Sequence, residues 1–161
     1  MKKALITGSS SGIGFEYAKY LNQKGWSLDL VSHNEERSKK AREFFQDNNN
    51  NYHLLDLSKK DSIAELLGKI DTPDLIVANA GITLMSKAGE SSSLERDELY
   101  YLLCGGVIDL IEGLLPRLRE KDASRIVIIS SIGAVTPMPK SHFTHLLSLV
   151  STLMEDLLAR S

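Results

Sequence analysis

Disulfides, a strong net charge and long apolar runs are all missing from this sequence, and each absence closes a class of function. Cys104 is the single cysteine, so no internal disulfide can form. It lies in an apolar helical stretch, as a core residue in a reducing compartment would, and no neighbouring signature activates it as a nucleophile. A formal net charge of −2 gives no electrostatic basis for nucleic acid or an anionic membrane as partner. No stretch reads as a transmembrane span. Lys2-Lys3 leads straight into a strand, without the apolar core or cleavage site of a signal peptide. The expectation is a cytoplasmic protein with no metal site.

With 161 residues, 42% of them hydrophobic, the chain can build one well-cored domain spanning 1–161 and not two. Its strongest local signal is Thr7-Gly8-Ser9-Ser10-Ser11-Gly12-Ile13-Gly14, which follows the apolar run Lys2 to Ile6 and precedes a helical pattern. A Cβ at Gly8 or Gly12 would obstruct close approach of the backbone or demand positive φ. A helix starting there also aims its unpaired N–H groups at an anion, and a pyrophosphate fits that description. The alternative is a glycine-rich turn that only connects strand to helix.

Strands and helices then alternate. A helix over Gly14 to Lys24 stops at Gly25, a C′ glycine. A strand over Trp26 to Val31 leads to a charged helix, Glu35 to Gln46, and a polar loop, Asn48 to Asn51. Tyr52 to Leu55 is the third strand. Ser58 and Asp61 have capping-box spacing for a helix reaching Lys69, which Thr72-Pro73 ends. Leu75 to Ala78 and Arg125 to Ile129 complete five strands. Single helices between strands predict an α/β fold, a parallel sheet covered on both faces.

Two later segments carry regular apolar stripes. The first runs Leu99, Leu102, Leu103, Gly106, Val107, Leu110, Ile111, Leu114, Leu115 and Leu118, with Pro116 bending its last turns. The second runs from Phe143 through Leu146, Leu147, Val150, Leu153 and Met154 to Leu158. Either the stripes only face the sheet, or a second apolar face makes a subunit interface through residues 99–118 and 143–158, testable at an exposed stripe residue, for which Leu110 is the expectation.

These motifs in order resemble the short-chain dehydrogenase/reductase family. The resemblance rests on Thr7-Gly8 through Gly14, Asp56-Leu57 after the third strand, and Asn79-Ala80-Gly81 after the fourth. It continues through Leu114-Leu115-Pro116 and Ile129-Ser130-Ser131. It implies a Rossmann-like, three-layer α/β/α domain with sheet order 3-2-1-4-5 and a nicotinamide dinucleotide along the C-terminal strand edge. Gly8, Ser10, Gly12, Ile13 and Gly14 would hold the pyrophosphate and adjacent ribose. Asp56 and Leu57 would meet adenine, and Asn79, Ala80 and Gly81 would line the route to nicotinamide. Where NAD-preferring relatives carry an acid for the ribose 2′-OH, this sequence reads Ser32-His33-Asn34, which favours NADP(H) over NAD(H).

The catalytic end departs from the family pattern of Tyr, Lys, Ser and Asn. Ser131 matches the Ser. Counting from Pro116 and from Ser131 puts Leu103, Thr144 and Ser148 at the Asn, Tyr and Lys positions, and the sequence holds no tyrosine at all beyond Tyr101. A positioned general acid supplies roughly 10²–10⁴-fold in rate, and a Thr hydroxyl does not replace a Lys-activated phenol. His142 and His145 are the titratable residues nearby. Relatives also continue through two more strands and a substrate-covering loop, so most of the substrate pocket is expected to be missing. Three readings stand: a degenerate, non-catalytic member acting through nucleotide binding or through pairing in a homo-oligomer or heterodimer; an oxidoreductase using an atypical acid or a partner's chemistry; and non-redox chemistry by Ser131 with His142 or His145.

Overall fold

The computed structural model describes residues 1–45, 49–82 and 90–131. Five strands, β1 (Lys3–Thr7), β2 (Ser27–Ser32), β3 (Asn51–Leu54), β4 (Leu75–Ala78) and β5 (Arg125–Ile128), form one sheet. All four pairings are parallel, in the order β3-β2-β1-β4-β5. This is the architecture the sequence predicts. The helices are α1 (Gly12–Gln23), α2 (Glu35–Phe44), α3 (Lys60–Lys69), α4 (Ser93–Tyr100) and α5 (Gly106–Leu118), with a π turn, Tyr101–Gly105, joining the last two.

The sheet carries a core on each face. Ala4, Ile6, Leu28, Leu30 and Val77 pack under Ala18 and Leu21 of α1 and Ala41 of α2, whereas Leu5, Val31 and Ile76 pack under Ile63 and Leu66 of α3 and Leu110 and Leu114 of α5. The central strands are apolar on both sides, as a covered parallel sheet requires.

Helix α1 ends as its glycine dictates. Gly25 adopts φ +76°, its N–H donates to Asn22 C=O, and the Trp26 N–H donates to Leu21 C=O, a Schellman closure. Helix α3 ends differently: the Arg117 guanidinium of α5 donates to Ile70 C=O at 3.0 Å and Leu67 C=O at 3.2 Å. Gly113 permits that closeness, since a Cβ there would stand 2.4 Å from Leu67 Cδ1.

Several expectations are corrected. Helix α1 starts at Gly12, two residues early, α2 stops at Phe44, and Asn51 opens β3 rather than closing a loop. Ser58 does not cap α3, which begins at Lys60 with no side-chain cap; its N–H and hydroxyl both go to Asp56 Oδ1. The capping box that exists is at Ser92 and Glu95, ahead of α4. Leu110, offered as an exposed stripe residue, is 2% exposed and belongs to the core. The 26-residue run Ser93–Leu118 is long and apolar enough to cross a membrane by length and composition, contrary to the expectation. Here Leu99, Leu110, Leu114 and Leu118 are buried within the domain. The second stripe, 143–158, lies outside the described residues.

The π turn changes the phase of the long helix. On an unbroken α-helix Leu103 would follow Leu99 onto the buried side. The wider turn gives that place to Cys104, which is fully buried and whose thiol pKa burial pushes up, while Leu103 stays half-buried against the same pair.

At the opposite end of the sheet sits a charge with no exposure at all, Asp29 of β2. Its Oδ1 accepts from Asn51 Nδ2 at 2.9 Å and from the His53 Nε2 proton at 3.0 Å. Lys3 Nζ stands 3.2 Å from Oδ2, an ion pair without hydrogen-bond alignment, and also reaches Asp71. Burial works to raise the Asp29 pKa, but the bonds from His53 and Asn51 and the Lys3 charge outweigh it and hold the carboxyl below its ordinary value. A folded-state pKa below the unfolded one means that this stabilisation is complete above about pH 4 and is lost as pH falls through the folded value. Asp29→Ala should therefore cost about 3–5 kcal/mol in urea unfolding at pH 7. Asp29→Asn should flatten the acid limb of the stability curve.

Candidate functional site

A cleft of about 580 Å³ opens where β1 to β4 end. Its floor is the glycine turn, and the turn's shape is set from behind. Thr7 Oγ1 accepts from the N–H groups of both Asn79 and Ala80, each at 2.9 Å. Asn79 Nδ2 donates in return to Thr7 C=O at 3.1 Å and Gly8 C=O at 3.2 Å. Ser9 ties the other side down, its N–H and hydroxyl both reaching Val31 C=O.

The three glycines have different duties. Gly8 takes φ +64°, and a Cβ on it would meet Asn79 Nδ2 at 2.8 Å and Ala80 Cα at 2.9 Å. Gly12 takes φ +57° with open space around it, so conformation alone requires it. Gly14 is held by packing: a Cβ there would stand 2.4 Å from Gly8 O and 2.5 Å from Asn79 Nδ2. Helix α1 begins at Gly12 behind the N-cap Ser11, whose side chain makes no cap, and has no acid in its first turn. Its first N–H groups are thereby left to the cleft, which suits a phosphate.

Of the residues singled out in the sequence, Gly8, Ser10, Ile13, Ser32, His33, Asn34, Asp56, Leu57, Asn79, Ala80 and Gly81 all line this one cleft. Gly12 and Gly14 shape it without being among its lining residues. Ser32 and Asn34 also have local duties: the Ser32 hydroxyl bonds that of Ser38, and Asn34 Oδ1 caps α2 by accepting from the Arg37 N–H at 2.8 Å. Asp56 uses Oδ1 to hold the Ser58 turn. Burial works to raise its pKa, and the Ser58 bonds, Lys59 and His33 together hold it below its ordinary value.

Ser131 is exposed after β5 and does not line the cleft; His142, Thr144, His145 and Ser148 lie outside the described residues. The Tyr-x-x-x-Lys spacing does occur once, at Tyr20 and Lys24. Tyr20 is on α1 and Lys24 is its C-cap, the ammonium 5.6 Å from the ring centroid, and neither residue lines the cleft.

The structure adds to the lining Arg37, Glu95 and Glu98, which the sequence did not single out, and Leu99 and Leu102 of the first apolar stripe. Arg37 had a visible signal, since a cation three residues after a helix N-cap opposes the helix dipole and needs another reason to be there. Its guanidinium makes no ion pair among the described residues. Glu98 pairs with Lys59 across the wall between α4 and the start of α3.

Comparison with known proteins places this geometry. Residues 2–143 match the family model described as short chain dehydrogenase. An uncharacterised oxidoreductase of Staphylococcus epidermidis is 30% identical over 142 residues, covering 84% of this chain and 60% of that protein. A 3-oxoacyl-[acyl-carrier-protein] reductase of Rickettsia prowazekii is 30% identical over 138 residues, covering 86% and 57%. Thus the chain spans under two thirds of the length of these curated relatives. Among solved structures, 4-hydroxyisoleucine dehydrogenase complexed with NADH superposes with TM-score 0.91 at 20% identity, covering 99% of this chain and 67% of that one. L-Sorbose reductase of Gluconobacter frateurii, complexed with NADPH and L-sorbose, gives 0.91 at 23% identity, covering 99% and 63%. These are likenesses of fold.

Thr7→Val removes the acceptor shared by two backbone N–H groups while keeping the side chain's shape. It should lower stability by about 1–3 kcal/mol for each N–H left buried and unpaired, read from urea denaturation.

Proposed function

The chain belongs to the short chain dehydrogenase family, and on that premise we propose that it binds NADP(H) in the cleft above β1 to β4 without reducing carbonyls alone. It acts through the bound nucleotide and through pairing with another subunit. One observation carries the reading: the uncapped start of α1 facing a glycine turn that Thr7 and Asn79 brace from beneath. The turn's backbone and Ser10 would hold the pyrophosphate, and Asp56 and Leu57 the adenine. Bound, the dinucleotide supplies hydride chemistry; this chain's residues supply only grip and orientation.

Preference for the 2′-phosphate is supported by the Arg37 guanidinium and the His33 ring nitrogens near the end of β2. His33 and Arg37 line that rim, and no acid takes the position that would pair with a free ribose 2′-OH. The lack of turnover follows from Leu103 in place of an amide and from Thr144 and Ser148 in place of a Lys-activated phenol. Pairing is supported by Tyr100 and Ile108, 49% and 37% exposed along the long helix.

Calorimetric titration should give tighter binding of NADPH than of NADH, and equal affinities would remove the 2′-phosphate reading. Arg37→Gln should narrow that gap by about tenfold, the worth of one charge-assisted hydrogen bond. Mixed with NADPH and a ketone panel, the chain should show no oxidation at 340 nm (the ordinary NADPH absorbance), and steady turnover would overturn the degenerate reading. Ile108→Glu should shift the protein towards monomer in ultracentrifugation; an unchanged mass would exclude that helix face.

A further inference from the structure

We propose that Tyr101 and Asp109 are positioning residues for the cleft: their hydrogen bond clasps the π turn, and the clasped turn fixes the face that α4 presents to the ligand. The coupling to the cleft rests on the nucleotide reading; the clasp stands on its own geometry.

The Tyr101 O–H donates to Asp109 Oδ2 at 2.7 Å. Residues eight apart do not meet on an ordinary helix. At about 100° per residue they stand about 80° apart around the axis, whereas a π turn absorbs one residue step and brings them to within about 20°. The bond therefore exists only while the turn does. The path between the two residues is also cleared for the ring. A Cβ on Gly105 would stand 2.9 Å from Tyr101 Cδ2, and one on Gly106 would stand 3.4 Å from Tyr101 Cε1. Adjacent glycines weaken a helix, and here they make the trench in which the ring lies. Burial and the Asp109 carboxylate both push the Tyr101 phenol pKa up, which keeps it a donor.

The clasp holds a wall of the cleft. Glu98 and Leu99 line it from α4, and Leu102 from the turn itself. Leu57 lines it from the loop after β3, and its carbonyl oxygen lies 3.3 Å from where a Gly106 Cβ would stand. Helix α5 is fixed by Leu110 and Leu114 in the core and by Arg117 on the end of α3. If the turn closes to the α form, α4 is thus the part that rotates. Leu103 then takes the place over Leu99 that Cys104 holds, and Leu99 and Leu102 shift in the wall.

Cys104 is the single cysteine, so its rate of reaction with an aromatic disulfide reagent reads the turn. On the whole chain without ligand, Tyr101→Phe and Asp109→Ala should each raise that rate at least about tenfold, as loss of a hydrogen bond to a charged group would. The double variant should be no faster than either single one. Asp109→Asn keeps a neutral acceptor and should raise the rate only about threefold. Urea unfolding of the same variants separates this from general loosening. Rates that merely follow the unfolding constant, or a double variant faster than both singles, overturn the clasp. If either larger change prevents folding, Asp109→Asn decides, and a rate equal to that of the original chain overturns it. Saturating NADPH, with binding verified by calorimetry, should slow the reaction of the original chain at least about threefold. An unchanged rate with NADPH bound overturns the coupling and leaves the nucleotide reading intact. If NADPH does not bind, that reading falls and the coupling with it, while the variants still decide the clasp.

Discussion

The hydroxyl of Thr7 ties together the chains leaving β1 and β4 just beyond their last ladder pair, Ile6 and Val77, and the floor of the cleft is built on that tie. Its oxygen takes two N–H groups from the residues leaving β4, while the Asn79 amide sends bonds back to the chain leaving β1. Parallel strands cannot be joined by a hairpin, so where two of them end the backbone needs other partners. Here those partners are each other. Gly14 then seats the start of α1 against the same knot, too close for any side chain. The direction of α1, the openness of its first turn and the position of the glycine loop all follow from this contact.

The fold was legible because its signals are local and repeated. Apolar runs of strand length, separated by single helices and punctuated by Gly25 and Pro73, leave few arrangements of a parallel sheet. The glycine turn was legible for the same reason, since positive φ at Gly8 and Gly12 is written in residue type. What was not legible depends on competition between partners. Ser58 had the spacing of a cap, but Asp56 was nearer and took both of its donors. Asn34 reads as a ligand contact in isolation and is also the N-cap of α2. Arg37 is one basic residue among many until the fold sets it on the rim beside His33. Leu110 looks like surface in a stripe apolar on several sides, and only α3, packed against Gly113 and capped by Arg117, decides which side is covered.

The two ends of the sheet carry opposite solutions to polarity. At the N-terminal ends of β1 to β3, Asp29 is wholly removed from water and is compensated by three different side chains. Such a cluster specifies one register between β2 and β3, because a slip of one residue would send Asn51 and His53 to the other face. At the C-terminal ends, backbone groups at the start of α1 are left available, and the glycine turn beside them admits no side chain at Gly8 or Gly14. Rigidity below and open donors above let a four-residue strand such as β3 support a loop that carries Asp56.

The π turn at Tyr101–Gly105 holds one residue more than an α-helical turn would need, so α4 and α5 are two helices in different phase rather than one. Deleting a single residue between Leu102 and Gly105 would let them fuse, and the long helix would run as an ordinary α-helix from Ser93 onward. The buried seat now filled by Cys104 would pass to a neighbour, and Gly81 would lose its leucine cover. A one-residue change in length there re-phases α4 against α5, and so changes which side chain rests on Gly81, without touching any strand of the sheet.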